Sequence, residues 1–456
     1  MKAVLISVAM VFASVLAGLT ATEIYLRSTG TAPLSQSYPA GICPTIWCGG
    51  GFREYAEETG WYTAAGVWPK ESEQRPMTVL AQGRRAIEDK PARKSGAPGI
   101  LILGGSISQG IGVRDSEHYG AVLQRVLPNT DVTVLATEGY GTSQVLGTLE
   151  RIARKGPAIQ EKVVVYGFIG HHLERNSGTY LWNKPLSDML GMIVDLPHAE
   201  LDNGNLVQVP LRTNAFFSTG LMGELALSAV LKDWWMRQTM TPRADDAEEV
   251  TQRLLLRLDE AARQRGSKLV VAILDDYLFD PQLGMVRTPA LADRMMAYMR
   301  DNGIDYVDLR LDWRRTQLGL VLKNGGHPNE KTHLIWGHEL GGALVERHLG
   351  GLPATGLTVR HANFGADCAD YTPPNDLPNL YHWGNATSYV ARQCAGRSVC
   401  DLYVDIGPDA LSDPVNSCAK DIQVEYFCGP VGTARRLISN GDSFRKTYQL
   451  SCPPDN

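Results

Sequence analysis

No cysteine falls between Cys48 and Cys368, and neither HExxH nor a paired CxxC pattern occurs anywhere in the chain. The sequence therefore offers no metal site, and nothing in it calls for a cofactor. Charge of one sign is also missing. Lys and Arg number 44 against 49 Asp and Glu, a net charge of −5, so neither nucleic acid nor an anionic surface is expected as a partner. Internal repeats and low-complexity tracts are absent, which leaves ordinary globular domains. At 456 residues and 44% hydrophobic content the chain can build two or three of them at roughly 150 residues each.

Long apolar runs are confined to the start. Lys2 precedes an apolar stretch from Val4 to Thr20 that meets no charge until Glu23. Residues 1–21 fit a signal peptide, with Val15-Leu16-Ala17 or Leu19-Thr20-Ala21 as cleavage patterns, and equally fit a membrane anchor. Both alternatives place the remainder outside the cytoplasm, as a secreted, periplasmic or tethered protein. Cysteine usage agrees. Cys43 and Cys48 form a close pair, and Cys368, Cys394, Cys400, Cys418, Cys428 and Cys452 crowd the tail. In an exported chain such a tail reads as a disulfide framework.

Residues 22–95 form a connecting region rich in Gly, Pro and polar residues, with Trp47, Trp61 and Trp68 inserted, expected as partly irregular structure. From Gly99 onward strand and helix patterns alternate. Strands are predicted at 99–103, 132–135, 163–168, 268–274 and 306–309, and the clearest helix at 247–264. This order implies an α/β/α sandwich, a parallel sheet with helices on both faces, over residues 96–350. Residues 175–245 interrupt it and are expected to hold loops or a small cap. A Gly/Pro/Thr linker at 350–356 then leads into short alternating runs, a small disulfide-bonded domain of β character over 357–453.

The chemistry concentrates at two places. Gly99-Ile100-Leu101-Ile102-Leu103 ends at Gly104-Gly105-Ser106, so two glycines turn the chain and leave a serine at the carboxyl end of a buried strand. Ligands and chemistry collect at that end of an open α/β sheet. Gly110 lets a helix start close by, with N–H groups facing a developing negative charge. A serine nucleophile needs a base, and His327, in Asn324-Gly325-Gly326-His327-Pro328-Asn329, stands on a loop before a predicted helix.

These segments resemble the SGNH (GDSL-like) hydrolase family, through four ordered blocks. They are Gly104-Gly105-Ser106 with Gly110; Gly139-Tyr140-Gly141-Thr142-Ser143-Gln144; Tyr166-Gly167-Phe168-Ile169-Gly170-His171; and His327-Pro328-Asn329. The resemblance implies a flavodoxin-like sheet and an ester hydrolase. Ser106 would be the nucleophile and His327 the general base, with the oxyanion held by the backbone N–H groups of Ser106 and Ala136 and by the side chain of His171. Three positions depart from the family. Gly105 replaces an aspartate, His171 an asparagine, and Asn324 the aspartate expected three residues before the histidine. An asparagine can orient an imidazole but does not stabilise its charged form as a carboxylate does. A Ser-His dyad, a carboxylate elsewhere such as Asp308 or Asp312, and an inactive site all stay open.

The tail resembles the galactose/rhamnose-binding lectin domain of the sea-urchin egg lectin type. Its markers are His361-Ala362-Asn363-Phe364-Gly365, Val390-Ala391-Arg392-Gln393-Cys394 with Cys400, Asp413-Pro414 ahead of Cys418, and Lys420-Asp421-Ile422-Gln423-Val424-Glu425-Tyr426-Phe427-Cys428. By analogy the pairs would be Cys400–Cys418, Cys394–Cys428 and Cys368–Cys452, beside Cys43–Cys48. Phe364-Gly365-Ala366 stands where the family has Tyr-Gly-Arg, which removes two groups that bond sugar hydroxyls.

Together the resemblances imply an extracytoplasmic serine esterase acting on an acylated carbohydrate, with a glycan ligand at the C-terminal domain. The alternatives are a glycan-binding or adhesion protein with a degenerate hydrolase domain, and an acyltransferase. Lesser candidates are read structurally: His333 and His338 as packed or surface histidines, Glu174 and Arg175 as an ion pair or solvated charges, and Trp234-Trp235 as core.

Overall fold

The computed structural model describes residues 2–34, 53–68, 77–87, 99–127, 130–155, 161–280, 284–311, 320–322, 326–347, 356–372, 381, 384–394, 397–407, 411, 413–428, 435–439 and 441–452. Cys43, Cys48, Asp312 and Asn324 lie outside the described residues. The chain divides into two compact units, one made of Met1–Trp61 and His172–Leu254, the other of Tyr62–His171 and Leu255–Asn456.

The second unit is built on five parallel strands, β1 (Gly99–Gly104), β2 (Asp131–Ala136), β3 (Glu161–Phe168), β4 (Lys268–Ile273) and β5 (Asp305–Asp308). Their spatial order is β5-β4-β3-β1-β2. Ile100 to Leu103 are fully buried, as a strand covered by helices on both faces requires. The chain passes from β1 to β2 on one side and returns over β1 to β3 on the other. That reversal opens a crevice at the strands' carboxyl ends, the place where doubly wound sheets take their ligands.

The sheet does not stop at β2. Arg84–Arg85, Met77–Leu80 and Gly66–Trp68 extend it antiparallel, so part of the expected connecting region is an integral sheet edge. These strands are two to four residues long, too short for an alternation to show in sequence.

Helices Tyr119–Val126 and Glu330–Glu346 pack together on the sheet. Gly337 permits the contact, since a Cβ there would lie 2.5 Å from Val122 Cβ. The tail joins the same unit. Strand β6 (Leu357–Phe364) pairs antiparallel with β7 (Ile422–Cys428), which pairs with Arg435–Ile438. Val399–Tyr403 pairs with Thr447–Ser451, and helix Thr387–Cys394 lies against β6. Phe427 of β7 is buried in one cluster with Ile335, Trp336 and Leu340 of the long helix.

The disulfides correct the pairing taken by analogy. Cys368 bonds Cys418, Cys394 bonds Cys400, and Cys428 bonds Cys452, with Cα–Cα separations of 6.2, 5.2 and 5.2 Å. Local order accounts for two of them. Cys394 ends a helix shortly before Cys400, the second residue of the next strand, and Cys452 follows the strand whose Ser451 carbonyl meets the Cys428 sulfur. In these two pairs each cysteine has a neighbour already within bonding reach.

In the first unit, helices Tyr180–Leu190 and Leu227–Met240 pack around Tyr180, Ile193, Met236 and Met240. Lys232 is buried and donates to Ser187 O at 3.0 Å and Asp188 Oδ1 at 2.9 Å. Arg175 is also buried, its guanidinium 4.6 Å from the Trp182 ring centroid.

Candidate active site

Ser106 opens the short helix Ser106–Gln109 two residues beyond the end of β1, with Gly105 between them as N-cap. The turn is tight because the side chain of Ser108 folds back between two strand glycines. A Cβ on Gly104 would meet Ser108 Oγ at 2.5 Å, and one on Gly167 would meet it at 2.0 Å. Gly104 also has φ +155°, which a side chain would strain. Ser106 is only 7% exposed.

Gly104 pairs with Ala136 at the end of β2 and with Gly167 near the end of β3. The three neighbouring strand ends thus bring Ser106, Ala136 and the loop carrying His171 to one edge. Ala136 does not adopt a positive φ, so alanine serves there as well as glycine. Gly170 N donates to Asp275 Oδ1 at 3.0 Å, which anchors the residue before His171. Gly170 must be glycine, because a Cβ would lie 2.5 Å from Tyr277 O.

His327 sits partly exposed on a closed loop. Leu322 N donates to His327 O at 2.9 Å, Asn329 N to Leu320 O at 2.9 Å, and Val321 bridges Pro328. Asn329 Oδ1 then caps the helix Glu330–Glu346 by accepting from Lys331 N and Thr332 N. This loop touches the turn that follows Ser106. A Cβ on Gly112 would lie 2.2 Å from Leu322 Cδ1, while Ile111 N donates to Ser106 O at 3.3 Å. Asn324, between Leu322 and His327 in the chain, lies outside the described residues. Asp308 is taken by another partner: Arg310 Nε and Nη2 reach its two carboxylate oxygens at 2.9 and 2.8 Å.

Two supporting residues are missed by the sequence. Gln109 is buried and joins the first two blocks: Oε1 accepts from Glu138 N at 2.9 Å, and Nε2 donates to Thr63 Oγ1 at 2.7 Å. Arg85 reaches under the turn from the sheet edge. Its guanidinium donates to Gln109 O at 2.5 Å and to Gly110 O and Val113 O at 2.7 Å, and pairs with Asp115 at 3.3 Å. No local pattern marks either residue, because their partners, mostly main-chain atoms, lie far along the chain.

Two buried histidines support the turn and stay neutral. His118 Nδ1 accepts from Gly120 N at 2.8 Å, so its Nε2–H donates to Ser108 O at 2.7 Å. Burial, then the Arg85 charge, holds His118 well below the ordinary imidazole range. His333 is pushed down to about 3 by burial first, then by Arg85 and His327. It stacks on Tyr119 and meets Trp336 edge-on, which makes it a packed residue.

No family model matches the chain, and no curated protein matches it. Among solved structures it is similar to a lipolytic protein of the G-D-S-L family from Veillonella parvula DSM 2008, at 12% identity and TM-score 0.32, over 53% of this chain and 95% of that one. It is similar to TesA at 16% identity and TM-score 0.29, over 52% and 93%. The esterase EstA from Pseudoalteromonas sp. gives 13% identity and TM-score 0.28, over 53% and 93%. These are likenesses of chain path over about half of this chain.

Proposed function

We propose that this protein is an extracytoplasmic serine esterase, with Ser106 as nucleophile and His327 as general base. One observation carries the reading: adjacent parallel strands end together so that Ser106, Ala136 and the His171 loop share one edge, with the His327 loop packed on the nucleophile turn. In the reaction His327 takes the Ser106 hydroxyl proton as Oγ bonds the acyl carbon, then returns it to the departing alcohol. Water, deprotonated by the same imidazole, releases the acid. The N–H groups of Ser106 and Ala136 and the ring N–H of His171 hold the oxyanion. The neutral, committed His118 and His333 take no part in proton transfer. An acylated carbohydrate is the proposed substrate, because the C-terminal domain carries lectin-like markers and shares a core with the catalytic unit.

Hydrolysis of p-nitrophenyl acetate by the full chain, beside Ser106→Ala, tests this. Turnover that disappears with the serine supports the assignment. Equal, near-background rates in both would sink it and leave the glycan-binding reading, to be checked by glycan capture with the Ser106→Ala protein.

A further inference from the structure

The helix Leu227–Met240 is apolar on the wrong side. Ser228, Lys232, Met236 and Met240 recur every fourth residue and are buried against its unit. At 3.6 residues per turn the opposite face carries Leu227, Val230, Leu231 and Trp234, with Trp235 at its margin and the polar Arg237 and Gln238 on its last turn. That face points outward: Trp234 is 58% exposed, and Val230, Leu231 and Trp235 are exposed beside it. The preceding turns add Phe216 at 61% and Leu221 at 78% exposed. Six large apolar side chains on one short stretch form a patch of the kind that marks an interaction surface.

The same stretch receives the end of the N-terminal helix. Ile6–Ser28 is 23 residues long with mean hydropathy 1.6 and is unburied along its apolar window. At 1.5 Å per residue it spans about 35 Å, enough for the roughly 30 Å hydrocarbon core of a bilayer. Its first charge after Lys2 is Glu23, and that carboxylate is not left in solvent. Glu23 Oε1 and Oε2 accept from Ala226 N at 2.8 Å and Leu227 N at 2.9 Å, capping Leu227–Met240. Arg27 closes the joint by pairing with Glu23 at 2.6 Å and donating to Glu224 O at 2.5 Å.

We infer that the outward face of Leu227–Met240, with Phe216 and Leu221, rests in the interfacial layer of the lipid bilayer that the Lys2–Ser28 helix crosses. Depth fixes the occupant. A helix start bonded to Glu23 lies at the level where the membrane helix first carries charge, which is the headgroup boundary. Tryptophan is enriched there because its ring is apolar and its N–H is polar. The helix carrying this face thus starts where the apolar stretch of the anchor ends. This inference rests on Lys2–Ser28 being retained, and needs no chemistry at Ser106.

The test uses the full chain reconstituted in phosphatidylcholine and phosphatidylglycerol vesicles containing lipid brominated near the headgroup end of its acyl chains. Bromine quenches tryptophan only at contact range. Quenching of the wild type should fall by most of its amplitude in Trp234→Phe/Trp235→Phe, a variant that keeps an apolar aromatic face and so keeps the fold. Unchanged quenching in the variant overturns the proposal. Protection of the pair in a stable dimer, without bromine contact, overturns it in favour of a second copy of the chain. An intact mass of membrane-extracted protein below 49.9 kDa by the leader removes its premise, and esterase activity reads the Ser106 assignment separately.

Discussion

Arg85 shows how much a single buried side chain can hold in this site. Its side chain is 1% exposed and supplies donors to three carbonyls of the turn that follows Ser106, plus the carboxylate of Asp115. Arg85→Met keeps the length and apolar stem but leaves those three carbonyls without their donor and the half-buried Asp115 with Thr78 N as donor but no cation partner. Stripping one partner from a buried charged network costs about 3–5 kcal/mol. The urea midpoint of the variant should fall accordingly. Turnover of p-nitrophenyl acetate should fall even at temperatures where it remains folded, because the Ser106 turn loses its support. Arg85→Lys, with a compact ammonium in place of the fork, should land between the two. A variant as stable and active as wild type would rule the clamp out. Ser106 itself is legible in sequence, since a buried apolar run ending in two glycines has few ways to continue. Arg85 is not, because Gln109, Gly110 and Val113 offer it backbone oxygens that every residue type possesses.

Among elements, the inner parallel strands such as β1, β3 and β4 are legible because each is a short Val/Ile/Leu-rich run buried on both faces, whereas the edge strand β5 reads Asp-Tyr-Val-Asp with only Val307 buried. The antiparallel edge is not, since strands such as Arg84–Arg85 draw their order from β2 rather than from their own pattern. Trp234-Trp235 fails as core for a related reason: an apolar helical face reads alike whether it meets protein or points outward. The seam between helix Glu330–Glu346 and the tail sheet carries a consequence of its own. Gly342 lets β6 approach, since a Cβ there would lie 2.8 Å from Arg360 Cγ. Glu339 on that helix lies 4.0 Å from His361 of β6, and His361 lies 3.5 Å from Glu425 of β7. Arg360 and Arg436 face the same Glu425 at 3.2 and 3.7 Å. Burial first, with Glu425 adding and Arg360 opposing, raises Glu339 to about 8. A carboxyl raised above its unfolded value of 4.5 contributes stability that is complete at low pH and is lost as pH rises through 8. His333, lowered to about 3, acts in the other direction, and its contribution is lost as pH falls from 6.5. Melting temperatures from pH 5 to 9, about 1.4 kcal/mol per pH unit at the steepest, should decline less in Glu339→Gln, which has no proton to lose. An identical alkaline decline in both proteins would remove Glu339 as its source.

At the scale of the molecule, the order of segments suggests two modules joined by a Gly/Pro linker, whereas the packing of Tyr62–His171 and Leu255–Asn456 is that of one compact unit. Phe427 contributes to the same buried cluster as Ile100 and Ile102 of β1, so the tail is part of what keeps the parallel sheet dry. Sequence conceals this because a buried phenylalanine in a disulfide-rich tail looks the same whichever core it fills. Cooperative unfolding follows from a shared core. Reducing Cys368–Cys418, Cys394–Cys400 and Cys428–Cys452 releases loops of 50, 6 and 24 residues. Lost crosslinks of this kind typically cost about 2–4 kcal/mol each, more for longer loops. Were the tail an independent module, that loss would stay within it. Here hydrogen exchange should show the amides of β1 and β7 opening with the same free energy in the oxidised protein. Under reducing conditions both should lose protection together, and Ser106-dependent hydrolysis should fail at the same temperature. Loss of protection in β7 alone, with β1 and turnover unchanged, would show that the tail folds apart from the sheet.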